Sequence, residues 1–263
     1  MLPPDRDHCP APAQATASLT SWRALRAALA VAGALGLSAQ AAPRFEDTLA
    51  QRVLACTSCH GAQGQAAPDG YHPRIAGKPA GYLYNQLLHF RDGRRGYRPM
   101  AHMVQPLSEA YLLEMARHFA ALDLPYPPPT PVVVSPQALK RGEQLALHGD
   151  ASRQLPACVQ CHGAHLTGVQ PHVPGLLGLP RDYLNAQMGA WRVGQRRTHA
   201  PDCMAAIALR LDDSDVSAVS GWLASQPLPI DARPAPRLTT PPPLDCGGAL
   251  AGHPASTRPK GQP

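Results

Sequence analysis

Two short runs of the chain place two thiols and an imidazole within one turn. They are Cys56-Thr57-Ser58-Cys59-His60 and Cys158-Val159-Gln160-Cys161-His162, 102 positions apart. The spacing C-x-x-C-H is the attachment pattern for c-type haem. Two thiols three positions apart in a local turn can each reach one vinyl group of a porphyrin. The adjacent histidine then presents an imidazole to the iron. Covalent attachment retains the haem even in a domain too small to bury it fully. A redox dithiol or half a zinc site uses the same residue types. The dithiol belongs to a βαβ setting, which the pattern lacks. A zinc site needs a second ligand pair, and here each motif sits in its own repeat unit.

A second iron ligand is expected downstream of each motif. Met100 and Met204 hold equivalent places, each seven residues before a leucine that precedes a helix start. Thioether ligation raises the reduction potential relative to bis-histidine ligation. An isolated methionine usually packs a core, but repeat equivalence and a Pro-rich approach single these two out. Met103 and His102 are rivals in the first half, and His199 and Cys203 in the second. His72, His89, His118, His148, His165 and His172 are expected at the surface or in supporting positions.

The motifs belong to an internal duplication. Pro73 to Pro79 matches Pro174 to Pro180, Tyr82-Leu83 matches Tyr183-Leu184, and Gln86 matches Gln187. Phe90 to Gly93 matches Trp191 to Gly194, and Leu107 matches Leu211. The offset drifts only from 101 to 104. Each half reads as helices separated by turns. Residues 44–56 and 136–148 lead towards the two motifs. Pro79 and Pro180 suit the first turn of a middle helix. Those helices run to about Asp92 and Val193, with Gly93 and Gly194 as stops. Ser108 and Asp212 are expected N-caps of closing helices over 108–122 and 212–225. Val216, Val219 and Leu223 supply an apolar face at i, i+3 and i+7. No strand pattern competes.

The chain has 263 residues, enough for about two domains of roughly 100–150 residues. Proline reaches 31 residues, while charged residues are 16% and aromatics 5%. That composition excludes a coiled coil, a collagen-like chain and a charged disordered tail. A net charge of +6 without a dense basic run sets nucleic acid aside as a partner. Arg23 and Arg26 precede an apolar stretch within residues 24–42, which carries a small-x-small site at Ala39-Gln40-Ala41. They read as a secretory signal peptide over 1–41, too short for a confident membrane span and leaving no later one. Cleavage after Ala41 removes Cys9, leaves six of seven cysteines and exports the chain to an oxidising compartment, the periplasm. An uncleaved leader would instead leave it membrane-associated.

On these residues the sequence resembles the two-domain, two-haem cytochrome c4 type, over about residues 44–228. The resemblance implies an all-α fold of two tandem class I cytochrome c domains, 42–124 and 136–228, around a pseudo-twofold axis. A Pro-rich linker, 125–135, joins them, and an irregular Pro-rich tail, 229–263, follows. It implies two covalent haem c groups, on Cys56 and Cys59 and on Cys158 and Cys161. His60 with Met100 and His162 with Met204 are the implied axial pairs. Pro73 and Pro174 are implied on the histidine side, where a backbone carbonyl takes the Nδ1 proton.

Cys203 and Cys246 fall outside that pattern and are expected to form a disulfide tying the tail to the loop of Met204. A thiolate ligand at Cys203 and free thiols are the other readings. Arg91, Arg94, Arg95 and Arg98 cluster before Met100, and Arg192, Arg196 and Arg197 before Met204. They form a solvated basic face, or pair with haem propionates, or steer an acidic partner. The expected function is an electron carrier, not an enzyme, between a dehydrogenase or quinol-oxidising donor and a terminal acceptor such as an oxidase. A dihaem peroxidase or thiosulfate dehydrogenase, and a cytochrome subunit of a dehydrogenase complex, are the alternatives.

Overall fold

The structure is a computed structural model, described over residues 46–67, 70–129 and 131–247. The leader reading on 1–41 lies outside the described residues. Nine α-helices are found among the described residues, with one short hairpin. The first half contains α1 (Leu49–His60), α2 (Ala80–Arg91), α3 (Arg98–Val104) and α4 (Glu109–Ala120). The second contains α5 (Pro136–Leu147), α6 (Val159–His162), α7 (Arg181–Arg192), α8 (Cys203–Arg210) and α9 (Asp213–Ser225).

The closing helices start where their caps predict. Ser108 Oγ accepts from Tyr111 N at 3.2 Å, and Asp212 Oδ1 accepts from Asp215 N at 2.8 Å. Each cap satisfies an amide that the first helical turn leaves unpaired. Pro79 and Pro180 stand one place earlier than expected, as N-cap residues of α2 and α7. Both helices stop at glycines in the left-handed region, Gly93 at φ 69° and Gly194 at φ 72°. A side chain at either position would strain the backbone.

Buried residues of α4 recur at helical spacing: Leu112, Met115, Ala116 and Phe119. They pack with Leu83, Leu88 and Phe90 of α2. In the second half Val219, Trp222 and Leu223 of α9 pack with Ala146 of α5 and Leu184 of α7. Val216 joins a separate cluster with Leu145, Leu155 and Leu211.

The halves differ in how they present the motif. In the first, α1 continues through Cys56 and Cys59 to His60 and so extends past the expected 44–56. In the second, α5 ends at Leu147 and the motif occupies its own turn, α6. The intervening loop is held by Asp150, whose carboxylate receives Arg141 and Arg153 at 3.1 Å each. The same arginines grip the buried Asp215 of α9 at 2.8 and 2.7 Å. The second half also carries a two-residue ladder that no sequence pattern announces. Its strands are β1 (Gly168–Val169) and β2 (Val173–Pro174), paired antiparallel. Arg74 pins the start of the linker, donating to the carbonyls of Leu124 and Pro125 and lying 3.8 Å over the Tyr126 ring. The described tail, to residue 247, follows no regular helix or sheet of its own up to Cys246.

Candidate functional site

A cavity of about 990 Å³ runs through both halves. Cys56, Cys59, His60 and Met100 line it in the first half; Cys158, Cys161, His162 and Met204 line it in the second. Each motif thus opens onto the same space as its downstream methionine. α3 carries Met100 and α8 carries Met204, so equivalent short helices present the two thioethers. Of the rivals, Met103 also lines the cavity. His199 instead packs against His89, their rings 5.6 Å apart. Cys203 is joined to Cys246 with an S–S distance of 2.01 Å, so the structure has no thiolate at 203.

The imidazoles are oriented from behind. His60 Nδ1 lies 2.7 Å from the Pro73 carbonyl, and His162 Nδ1 lies 2.8 Å from the Pro174 carbonyl. A carbonyl only accepts, so Nδ1 carries the proton and Nε2 is left with its lone pair. Burial pulls the pKa of both histidines below the ordinary value, against the carbonyl bond, which works the other way. Burial, the larger effect, keeps each ring neutral, and the carbonyl fixes its proton on Nδ1, so Nε2 is free as a metal ligand needs. Burial also pushes the Cys158 thiol up to about 11.

The basic residues sort into three groups. Arg91 donates to Glu109 at 3.1 Å, and its repeat equivalent Arg192 bonds Asp213, so both tie a middle helix to a closing helix. Arg98 sits exposed at the start of α3. Arg94, Arg95, Arg196 and Arg197 meet where the halves join. Arg95 and Arg196 form an antiparallel backbone bridge, and Arg197 N donates to Arg94 O at 2.7 Å. Arg95 reaches Gln86, Gln187 and Tyr183 at 3.0, 2.7 and 3.0 Å. Arg196 reaches Gln187, Gln86 and Tyr82 at 2.8, 3.0 and 3.4 Å. Neither guanidinium has a carboxylate partner among the described residues, although Arg196 is buried. A buried cation without an anion is costly.

His89 was not separable from surface histidines by sequence, yet it is buried and lines the cavity. Its Nε2 has no hydrogen-bond partner. Burial, reinforced by His199, Arg196, Arg94 and Arg95, lowers its pKa to about 4. Its repeat equivalent is Ala190, so no motif could mark it.

The chemistry of this lining fits two haem groups. Each half offers a thiol pair, an imidazole with a free nitrogen and a thioether, with apolar walls such as Leu83, Val104, Leu112, Leu176 and Leu184. The unpaired arginines await carboxylates, which four propionates would supply.

No protein-family model matches the chain. It is 39% identical over 204 residues to the thiosulfate dehydrogenase electron acceptor of Thiomonas intermedia, covering 78% of this chain and 93% of that relative. It is 31% identical over 188 residues to cytochrome c4 of Thiocapsa roseopersicina, covering 70% and 94%. Among solved structures, reduced cytochrome c4 from Pseudomonas stutzeri aligns with a TM-score of 0.58 at 28% identity, covering 66% of this chain and 95% of that one. Thiosulfate dehydrogenase from Marichromatium purpuratum aligns at 0.61 and 32% identity, covering 67% of this chain but only 40% of that longer one.

Proposed function

The chain belongs to the cytochrome c4 family of dihaem cytochromes, and from that premise we propose that it is a periplasmic electron carrier, not itself an enzyme, that accepts electrons from a thiosulfate dehydrogenase and delivers them to a terminal acceptor. One observation supports this donor: the likeness to the Thiomonas intermedia acceptor extends along nearly all of that relative. Among the described residues, no helix is long and apolar enough to cross a membrane.

In this reading Cys56 and Cys59 hold one haem and Cys158 and Cys161 the other. His60 with Met100, and His162 with Met204, would ligate the two irons. What the bound haems supply is a one-electron couple at each iron. The protein's part is to fix that couple and shield it. Pro73 and Pro174 lock the two imidazole rings through their carbonyls. Thioether ligation favours the reduced state more than a second imidazole would. The apolar lining excludes water. Arg95 and Arg196 place positive charge at the junction, where propionates would neutralise it. No proton transfer by a side chain is required. Docking to donor and acceptor is expected to be brief, through small surfaces.

The test is reduction of the purified holoprotein in stopped flow. Both haems should reduce when thiosulfate and a thiosulfate dehydrogenase are present together, and neither with thiosulfate alone. The oxidised protein should be six-coordinate and low-spin at both irons. Catalytic oxidation of thiosulfate by the protein alone, or a high-spin iron at rest, would overturn the reading.

A further inference from the structure

The tail touches the second half at two informative places. Ala235 pairs with the β1–β2 hairpin: its N–H donates to Gly168 O at 2.9 Å, and Gln170 N donates to its carbonyl at 2.8 Å. That hairpin ends in Pro174, whose carbonyl orients the His162 ring. Eleven residues later Cys246 is bonded to Cys203, the residue before Met204. Gly247 N adds a bond of 3.0 Å to Pro201 O. Leu244 and Cys246 also form part of the cavity wall. Repeat equivalence puts Pro99 where Cys203 stands, so the first half has no covalent anchor beside Met100.

We propose that residues 235–247 are a strap that positions Met204. One end is fastened to the loop that orients His162, the other to the residue preceding the thioether. A methionine on a short surface helix can leave the iron whenever its loop opens locally, and such openings need little free energy. A covalent tie removes most open states of the loop it closes, here with a sequence separation of 43. The second iron therefore keeps its methionine against exogenous ligands, while the first, with Pro99 in place of a tether, exchanges more readily. The strap makes the two halves unequal where the repeat makes them alike.

This inference rests on Met204 being an axial ligand, and the experiment separates the two. The oxidised holoprotein is mixed with cyanide, following loss of the methionine–iron absorption band. The wild-type protein should bind in two phases, the fast one at the first half. In Cys246→Ser and Cys203→Ser the slow phase should accelerate at least ten-fold while the fast phase stays put. If the Ser variants retain both wild-type rates, the strap is refuted, even when their melting temperatures fall, since a merely structural bridge would lower stability without changing ligand exchange at one iron. Should the variants not fold, the same comparison is made on wild-type holoprotein, fully reduced, with and without phosphine cleavage of the disulfide, using carbon monoxide. Acceleration at one iron supports the strap and unchanged rates refute it. Met204→Ala is the control for the ligand assignment: it should abolish half of the methionine–iron band, and if it abolishes none, the assignment fails and takes the strap with it.

Discussion

Arg95 of the first half donates to Gln187 of the second, and Arg196 of the second donates to Gln86 of the first, at 2.7 and 3.0 Å. Each glutamine oxygen also takes the arginine of its own half, at 3.0 Å for Gln86 and 2.8 Å for Gln187. Two acceptors thus serve four donors in a crossed pattern. Removing either arginine takes one donor from the buried Gln86 and one from the half-buried Gln187. Arg196→Ala is expected to destabilise the holoprotein by about 1–3 kcal/mol, read from denaturant unfolding. Its combination with Gln86→Ala should cost less than the sum of the single changes, because both remove the same bond.

Covalent haem content tests the attachment residues separately in each half. Cys161→Ala with Cys158→Ala should leave one haem per chain, counted by the pyridine haemochrome assay and intact mass. The first half should keep its spectrum. Loss of both haems would mean that attachment in one half depends on the other.

Asp150 gives the second half an acid limit. Its carboxylate accepts from Ser152, then Arg141 and Arg153, and these bonds hold its pKa well below the usual carboxylate range. The folded state therefore binds the proton less readily than the unfolded chain, whose Asp titrates near about 3.9. Stability from Asp150 is complete above that value and falls as pH drops through the lower folded value. Asp150→Asn should lower the urea midpoint at pH 7 and shrink the further loss between pH 4 and pH 2. An unchanged acid profile would remove Asp150 from that role.

Two helical glycines should respond oppositely to the same substitution. A Cβ on Gly142 of α5 would run into the Ala218 carbonyl of α9. Gly142→Ala forces the two helices apart, and overpacking of this kind costs about 1–3 kcal/mol. A Cβ on Gly189 of α7 meets nothing within 4 Å. Gly189→Ala should be neutral or stabilise by up to about 1 kcal/mol through helix propensity. Thermal melts of the holoprotein compare the two directly.

Much of the fold was legible because local rules agree with the packing. Ser108, Asp212, Gly93 and Gly194 mark helix ends through bonds and dihedrals that involve only near neighbours. The end of α5 at Leu147 agrees with the expected 136–148, but what holds the segment between α5 and α6 was not legible. That segment depends on Asp150, Arg141, Arg153 and Asp215, which meet from three places in the chain. The ladder at Gly168 and Pro174 was missed for a similar reason, being too short to carry a period. Within the site, the motif residues announced themselves by type and spacing. His89 did not, because burial rather than spacing sets it apart. The arginines could be seen as a cluster, but only the fold assigns Arg91 and Arg192 to ion pairs and Arg95 and Arg196 to the junction.

The crossed bonds at that junction have a further consequence. A contact in which one residue meets a second, and the second's repeat equivalent meets the first's, is the contact of an isologous homodimer. The linker, with Arg74 holding its start, converts such an encounter into one within a single chain. Short connections of this kind act as millimolar effective concentrations. The association of the two halves is then independent of how dilute the protein is, and an interface too weak to sustain a dimer of separate single-haem chains suffices to keep a tethered pair together.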